Sequence, residues 1–286
     1  MIITAFKGQL GNQLFQYAAA RKFAHDSHTE IKLDLRSYVN VMDALKIRFF
    51  NIKDVVATES ECKKLKNKDF LYYLERLIPY YRRRFVWEKN WAFDKNLIGI
   101  KRKNMYIRGI FQSPKYFEGI EDILREEFKL KQSIDLKYKD EINAITNTNS
   151  VSIHIRRGDI MLGNVKFEKP TTSVDYYEKA VDYISKNTSN PHYFVFSDDI
   201  KWAKENLNFI NPVTFVSRKE ITDYEELSIM SRCKHNIIGN STFSWWGAWL
   251  NANPNKIVIN PKKWFIDPVM NAEYTKHLIL KSWITI

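Results

Sequence analysis

Residues 151–160 read VSIHIRRGDI. Val151, Ile153 and Ile155 alternate along the run, the pattern of a strand with a buried face. The run carries His154, Arg156, Arg157, Gly158 and Asp159 to its carboxyl end. An arginine guanidinium keeps its charge throughout the physiological range, and its fork matches phosphate oxygens with paired hydrogen bonds. In open α/β sheets nucleotides bind outside the carboxyl ends of strands. Two arginines at such an end point to phosphate chemistry. Taken alone, the same residues also fit a surface arginine pair bridged to Asp159.

Three further segments favour the first reading. Ile237–Trp249 (IIGNSTFSWWGAW) is an apolar strand followed by Asn240, Ser241 and Thr242 and then a tryptophan-rich helix. Hydroxyls and amides at a helix N-terminus suit a phosphate, and they also suit a helix cap. Trp245 and Trp249 share one face of that helix, where core packing is a simpler role than sugar stacking. Phe6–Tyr17 (FKGQLGNQLFQY) reads as strand, glycine turn and helix, an arrangement that aims backbone N–H groups at one point and attracts anions. Asn12 either contacts such an anion or caps its own helix. Phe196–Trp202 (FSDDIKW) ends a strand at Asp198, which either touches a nucleotide or caps the helix beginning near Ile200. No Asp-x-Asp motif occurs, and the adjacent Asp198 and Asp199 are poorly spaced for chelation.

Together with Ile110–Phe117 (IFQSPKYF) and Ile257–Phe265 (IVINPKKWF), these segments resemble the α-1,2-fucosyltransferases of glycosyltransferase family 11. The resemblance runs over almost the whole chain. The HxRRGD pattern is shared more widely, with α-1,6- and protein O-fucosyltransferases. The pairing of LGNQLFQYA with NSTFSWWGAWLN narrows it. In one place the chain departs from the family, which has two glycines before the leucine of its first motif; here the second is Gln9.

The resemblance implies a donor, GDP-fucose, and an inverting, metal-independent transfer of L-fucose to the 2-hydroxyl of a galactoside. No cofactor is implied. Arg156 would stabilise the charge developing on the departing diphosphate, and Arg157 would either be structural and paired with an acid or bind the substrate beside it. His154 would lie near guanine and phosphates, unless it is a satisfied core histidine. Asn240, Ser241 and Thr242 would meet the α-phosphate. Gly11, Asn12 and Gln13 would meet the β-phosphate and fucose. Glu226 in DYEELSIM would accept from guanine, with Glu225 as the alternative. The acceptor hydroxyl must lose a proton; Asp159 and Glu168 are candidate bases, and a loose path without a dedicated base is also consistent with the sequence.

These groups need a scaffold. Of the 286 residues 44% are hydrophobic, ample for one large or two small domains. Ile2–Phe6 reads as a strand, and Asn12 opens a helix with Leu14, Phe15, Ala18, Ala19 and Phe23 on one face. Ile31–Leu35 and Met105–Phe111 are strand-like, Phe117–Phe128 is helical, and residues 40–104 show little clean period. TNTNS at Thr146–Ser150 is turn-like and marks the expected domain boundary. After it, strands expected at 151–156, 192–197, 212–217, 235–239 and 256–260 alternate with helices at 175–187, 200–207, 222–232 and 244–252. That order implies a parallel sheet wound on both faces. The expected fold is therefore α/β and GT-B-like: two Rossmann-like domains facing across a cleft. Residues 1–148 would form the smaller, more irregular, acceptor-side domain, and 149–286 the GDP-sugar-binding domain.

The formal net charge is +12. The densest basic stretch, residues 63–103, has 13 basic and 4 acidic side chains. It suggests an anionic partner. An anionic inner-membrane surface fits a galactose-terminated oligosaccharide or lipid-linked acceptor, and a solvated basic face is the simpler reading. A non-catalytic nucleotide- or RNA-binding protein would use surface aromatics among the basic residues, and Tyr80, Tyr81, Phe85 and Trp87 offer some. Against nucleic acid, the phosphate motifs sit at strand ends, outside the basic stretch. Cys62 and Cys233 lack metal-like spacing and are expected as free thiols in a reducing compartment. No signal-like segment or long apolar run is seen, so a bacterial enzyme that is cytoplasmic or peripheral on the inner membrane is expected.

Overall fold

The computed structural model describes residues 1–36, 45–66, 74, 77–79, 82–88, 92–157 and 172–286. Tyr80, Tyr81, Gly158, Asp159 and Glu168 lie outside these residues. The chain divides into two compact units, Met1–Lys131 and Gln132–Ile286.

The first unit contains β1 (Ile2–Ala5), α1 (Leu10–Asp26), β2 (Ile31–Asp34), α2 (Glu59–Lys66), β3 (Phe85–Trp87), β4 (Met105–Arg108) and α3 (Glu121–Glu127). Its four strands, among the described residues, form a parallel sheet in the order β2-β1-β4-β3. Neighbouring parallel strands need a crossover, and α1 supplies the one between β1 and β2. Its Leu14, Phe15, Ala18, Ala19 and Phe23 are buried, as their spacing predicts. Tyr17 and Arg21 join it to α3: the Tyr17 hydroxyl donates to Glu127 at 2.7 Å and Arg21 Nε at 3.0 Å.

The second unit contains α4 (Lys139–Asn147), β5 (Asn149–Ile155), α5 (Val174–Asn187), β6 (Pro191–Ser197), α6 (Ile200–Asn206), β7 (Val213–Phe215), α7 (Asp223–Ser231), β8 (His235–Ile237), α8 (Thr242–Leu250), β9 (Val258–Asn260), α9 (Pro268–Leu278) and β10 (Ile284–Thr285). Its sheet is parallel throughout, in the order β10-β9-β8-β5-β6-β7. The chain runs outward from β5 through β6 to β7, then returns to the other side of β5 and runs outward again. The order therefore reverses between β5 and β8. Alternation sorts the side chains. Val151, Ile153 and Ile155 pack with Tyr176, Tyr177, Ala180 and Ile184 of α5 and Ala203 of α6. Ser152, His154 and Asn236 point the other way, where the His154 ring meets Phe243 of α8 at 5.2 Å. Trp245, Trp246 and Trp249 are core residues, as expected: all are buried, and Trp245 Nε1 donates to the Leu278 carbonyl of α9 at 3.0 Å.

The division between the units falls between Lys131 and Gln132, upstream of the expected 148/149. Residues 132–148 belong with the second unit because their side chains are tied into it. Tyr138 and Lys137 bond Glu225 of α7 at 2.9 and 2.7 Å, and Glu141 pairs with Arg218 at 2.8 Å. The expected turn at Thr146–Ser150 is the end of α4 and the start of β5. The first helix begins at Leu10, not Asn12. Its N-cap residue, Gln9, has φ −77° and is exposed, so a side chain at this position meets no backbone obstacle.

Candidate functional site

The carboxyl edge of the second sheet gathers most of the residues singled out from sequence. β5 carries His154 near its end and leads directly to Arg156 and Arg157, and β6, paired with it through Ile155 and Ser197, leads to Asp198. On the other side β8, paired through Ile153 and Ile237, leads to Asn240, Ser241 and Thr242. A Cβ on Gly239 would lie 3.2 Å from the His154 carbonyl oxygen and 3.3 Å from the Tyr177 hydroxyl. Bare backbone there lets the turn after β8 run close beside β5. The cluster lies at the reversal of strand order, where open α/β sheets bind ligands.

His154 is only 5% exposed. Burial, with the positive charge of Arg156 added, pushes its pKa down to about 3, so it is neutral near pH 7. Its Nδ1 is buried without a hydrogen-bond partner, and so is Oδ1 of Asn240, whose Nδ2 donates to the Trp264 carbonyl at 3.3 Å. Buried polar atoms in folded proteins nearly always have partners. Arg157 Nε is a third such atom at this edge, and together they mark groups able to bond a bound molecule. The unpartnered Nδ1 favours a ligand contact for His154 over a satisfied core histidine.

The arginines differ in surroundings. The Arg157 guanidinium lies 3.9 Å over the Trp202 ring, and its Nε is 3.8 Å from Asp199. Its backbone N–H donates to Asp198 at 2.8 Å. Arg157 thus fastens β5 to the start of α6. The cap of α6 is Asp199, which accepts from the Trp202 N–H at 3.0 Å, and not Asp198. Arg156 stays half-buried, close enough to His154 for its charge to act on that ring. Ser241 is the N-cap of α8, accepting from the Phe243 N–H at 3.3 Å, and Thr242 begins the helix.

Glu225 and Glu226 separate clearly. Burial works to raise the Glu225 pKa, but hydrogen bonds from Lys137, from the Thr222 N–H and hydroxyl and from Tyr138 outweigh it and hold it at about 2. With Thr222 it forms a capping box. Glu226 is pushed up to about 7 by burial; the Ser217 hydroxyl pulls the other way, and the charges of Asp223 and Asp198 add to the rise. Ser217 in turn accepts from the Ser197 N–H at 2.9 Å, which links Glu226 to the end of β6.

In the first unit, Gly8 has φ +84°, and the turn leads into α1 through Gln9. Gln13 is fully buried: its amide donates to the Gly8 carbonyl at 3.1 Å and its carbonyl accepts from the Ile47 N–H at 3.2 Å. Gln16 likewise bonds both Lys7 backbone groups and the Gly109 carbonyl. Gln13, expected as a ligand contact, therefore holds the loop. Gly11 is buried within the first turn of α1. Asn12 stays half-buried and accepts from Gln112 Nε2 at 2.5 Å; it is not the helix cap. Gln112 carries no sequence signal beyond the IFQSPKYF motif that contains it, and Ser217 lies in no motif at all. Both cysteines are free and buried. Among the described residues no three His, Cys, Asp or Glu side chains cluster as a metal site, and no helix is long and apolar enough to cross a membrane.

The sequence model for glycosyl transferase family 11 matches residues 55–286. An α-1,2-colitosyltransferase of Escherichia coli is 32% identical over 95% of this chain and 95% of its own length. The O-antigen biosynthesis glycosyltransferase WbnK of the same organism is 32% identical over 99% of both chains. Among solved structures, the α-1,6-fucosyltransferase NodZ, soaked with GDP-fucose, matches with a TM-score of 0.51 at 13% identity, over 87% of this chain and 91% of that one. That likeness agrees with the two parallel-sheet units described above: the fold is α/β and GT-B-like, with two Rossmann-like halves.

Proposed function

The chain belongs to glycosyltransferase family 11, and from that premise we propose that it moves L-fucose from GDP-fucose to the 2-hydroxyl of a galactoside, with inversion and without a metal. The second unit takes the GDP-sugar and the first the acceptor side. The observation that carries this reading is the gathering of His154, Arg156, Asn240, Ser241 and Thr242 at the strand-order reversal of the second sheet. Transfer forms a bond from the acceptor oxygen to the anomeric carbon and breaks the bond from that carbon to the β-phosphate oxygen. Negative charge grows on the departing GDP. A fixed guanidinium at that oxygen gains strength as the bond breaks, so Arg156 stabilises the transition state more than the bound substrate. Ser241 and Thr242, at the N-terminus of α8, face the α-phosphate with N–H and hydroxyl groups. Glu226 accepts from the N1–H and amine of guanine. Asn12 meets the fucosyl end of the donor. Asp198 holds the β5–β6 edge through the Arg157 N–H, beside the nucleotide. The acceptor proton leaves to Asp159, to Glu168 or to solvent.

A second reading keeps the reaction and changes the sugar to colitose, favoured by the similarity to the colitosyltransferase. Colitose is L-fucose without its 3-hydroxyl. A site that hydrogen-bonds that hydroxyl rejects the deoxy sugar by about 10⁴-fold, whereas an apolar pocket discriminates far less. The test is to incubate the protein with each GDP-sugar, a panel of β-galactosides and excess EDTA, and to determine the product linkage. Fucosyl-α-1,2-galactoside formed in EDTA is expected. Turnover that appears only on adding Mg²⁺ or Mn²⁺, or a different linkage, would overturn the corresponding part. The basic stretch at 63–103 is proposed to hold the enzyme against an anionic membrane face or a lipid-linked acceptor.

A further inference from the structure

Glu88 follows β3 in a strongly basic stretch, yet it is only 5% exposed. One of its carboxylate oxygens, Oε2, accepts from the backbone N–H of Ile110 at 2.8 Å and of Phe111 at 2.6 Å. Phe111 has φ +54°, a left-handed conformation that a bulky L-residue rarely adopts. Such an outlier persists only where its surroundings over-determine it. Here they do. Phe111 is fully buried, its ring meets Tyr116 edge-on at 5.3 Å, and its carbonyl accepts from the Ser113 N–H at 2.8 Å. Gly109 lies so close that a Cβ there would come within 2.6 Å of the Glu88 Cβ. The residue that leaves this turn is Gln112, which donates to Asn12.

We propose that Glu88 is a positioning residue: by bonding the Ile110 and Phe111 N–H groups it holds the left-handed turn that aims Gln112 at Asn12. The role in transfer rests on Asn12 serving the donor as proposed above. Glu88 touches neither the substrate groups assigned there nor Asn12 itself; it acts through the loop. A carboxylate binds the two N–H groups more strongly than a neutral acid does. Burial pushes the Glu88 pKa up to about 7; the Phe111 N–H, the Tyr116 hydroxyl and the Ile110 N–H pull it down, and the charge of Asp94 adds to the rise. Among the described residues, Asp94 and Tyr116 are the other titratable groups acting on it, and burial with the Glu88 charge keeps Tyr116 protonated well above neutrality. The latch is therefore tight above about pH 7 and loosens below it.

Two variants of the full chain test this. Glu88→Ala removes the acceptor, and Glu88→Gln keeps an oxygen but never ionises. In Glu88→Ala, hydrogen exchange at the Ile110 and Phe111 amides should quicken by about tenfold or more, with residues 151–157 unchanged. The acceptor kcat/KM should fall by about tenfold or more, as displaced positioning groups do. GDP affinity should stay within about twofold, because the nucleotide groups are in the other unit; that is far less than the tenfold that 1.4 kcal/mol would give. At saturating donor, where bound guanine holds Glu226 ionised, wild-type acceptor kcat/KM should decline below about pH 7, and Glu88→Gln should be flat there, near the low-pH wild-type value. Unchanged exchange in folded Glu88→Ala, or a wild-type acid limb retained in Glu88→Gln, would overturn the proposal. The exchange measurement needs no substrate. Quickened exchange with no sugar transfer by the wild type would thus uphold the latch and count against the assigned reaction instead.

Discussion

Arg156 and Arg157 are adjacent in sequence and differ in what surrounds them. Arg157 lies over Trp202 with Asp199 3.8 Å from its Nε, an atom that has no hydrogen-bond partner of its own. Arg156 acts on the ring of His154, at the edge where the phosphates are proposed to lie. Arg156→Ala should therefore lower kcat at saturating donor by about 10² or more, the scale of a lost transition-state charge contact. Arg156→Lys should recover little, because a point charge does not reproduce the fork. Near-wild-type kcat in folded Arg156→Ala would make the residue structural. The two glutamates divide in the same way. Glu225 is engaged by Lys137, Thr222 and Tyr138, so Glu226 is the residue proposed to read guanine. The ionised Glu226 is the form that would accept from guanine, and burial raises its pKa to about 7. GDP affinity should then rise with pH through about 7 as the carboxyl loses its proton. Glu226→Gln should weaken GDP binding by about 1–3 kcal/mol and abolish that pH dependence. Calorimetry at pH 6 and pH 8 measures both. An unchanged pH response in the variant would assign the guanine contact to another group.

At the scale of elements, the second sheet was legible because its signals are local and agree with one another. β5 alternates cleanly, and α5 opens on Ser173, whose side chain accepts from the Tyr176 N–H at 3.3 Å. α4 was not legible. It reads KDEINAITN, buries only Ile145 and has no side-chain cap; its place depends on pairs with α7 and Arg218, far away in sequence. The expected domain boundary was displaced for this reason. α9 carries a local signal for its start: Asp267 accepts from the Met270 N–H at 2.7 Å and Pro268 occupies the first turn. The site shows the same split. His154, Arg156 and Ser241 announce themselves as polar groups after apolar strands. Glu88 does not, because nothing in WEKNW tells that its carboxylate is buried under a turn formed 22 residues later. Gln13 looks like a ligand contact by position in its motif, yet both ends of its side chain are spent on backbone.

At the scale of the molecule, the net charge of +12 is concentrated in residues 63–103, where 13 basic side chains face 4 acidic ones. The described part of that stretch also exposes large apolar groups: Leu77 is 83% exposed, with Leu74 and Trp87 nearly half exposed. Basic side chains beside exposed leucine and tryptophan are the mixture that an anionic bilayer interface accommodates. The arginines of this stretch are not equivalent. Arg83 Nε donates to the Ile78 carbonyl at 2.8 Å and Arg84 Nη1 to the Lys64 carbonyl at 3.4 Å, so replacing either disturbs local backbone. Arg82, Lys101 and Lys103 are exposed. Each basic group near an anionic surface contributes about 1 kcal/mol, screened by salt over about 10 Å at 0.1 M. Replacing these three with Gln should weaken binding to phosphatidylserine vesicles by about 10²-fold at low salt, with the difference shrinking as salt is added. Transfer to a soluble galactoside should remain near wild type, since the three lie outside every nucleotide group described. Vesicle sedimentation paired with the soluble assay decides the matter. Wild-type vesicle binding by the triple variant would leave the charge as a solvated face. Lost turnover on the soluble acceptor, with the fold intact, would instead assign these side chains to acceptor recognition.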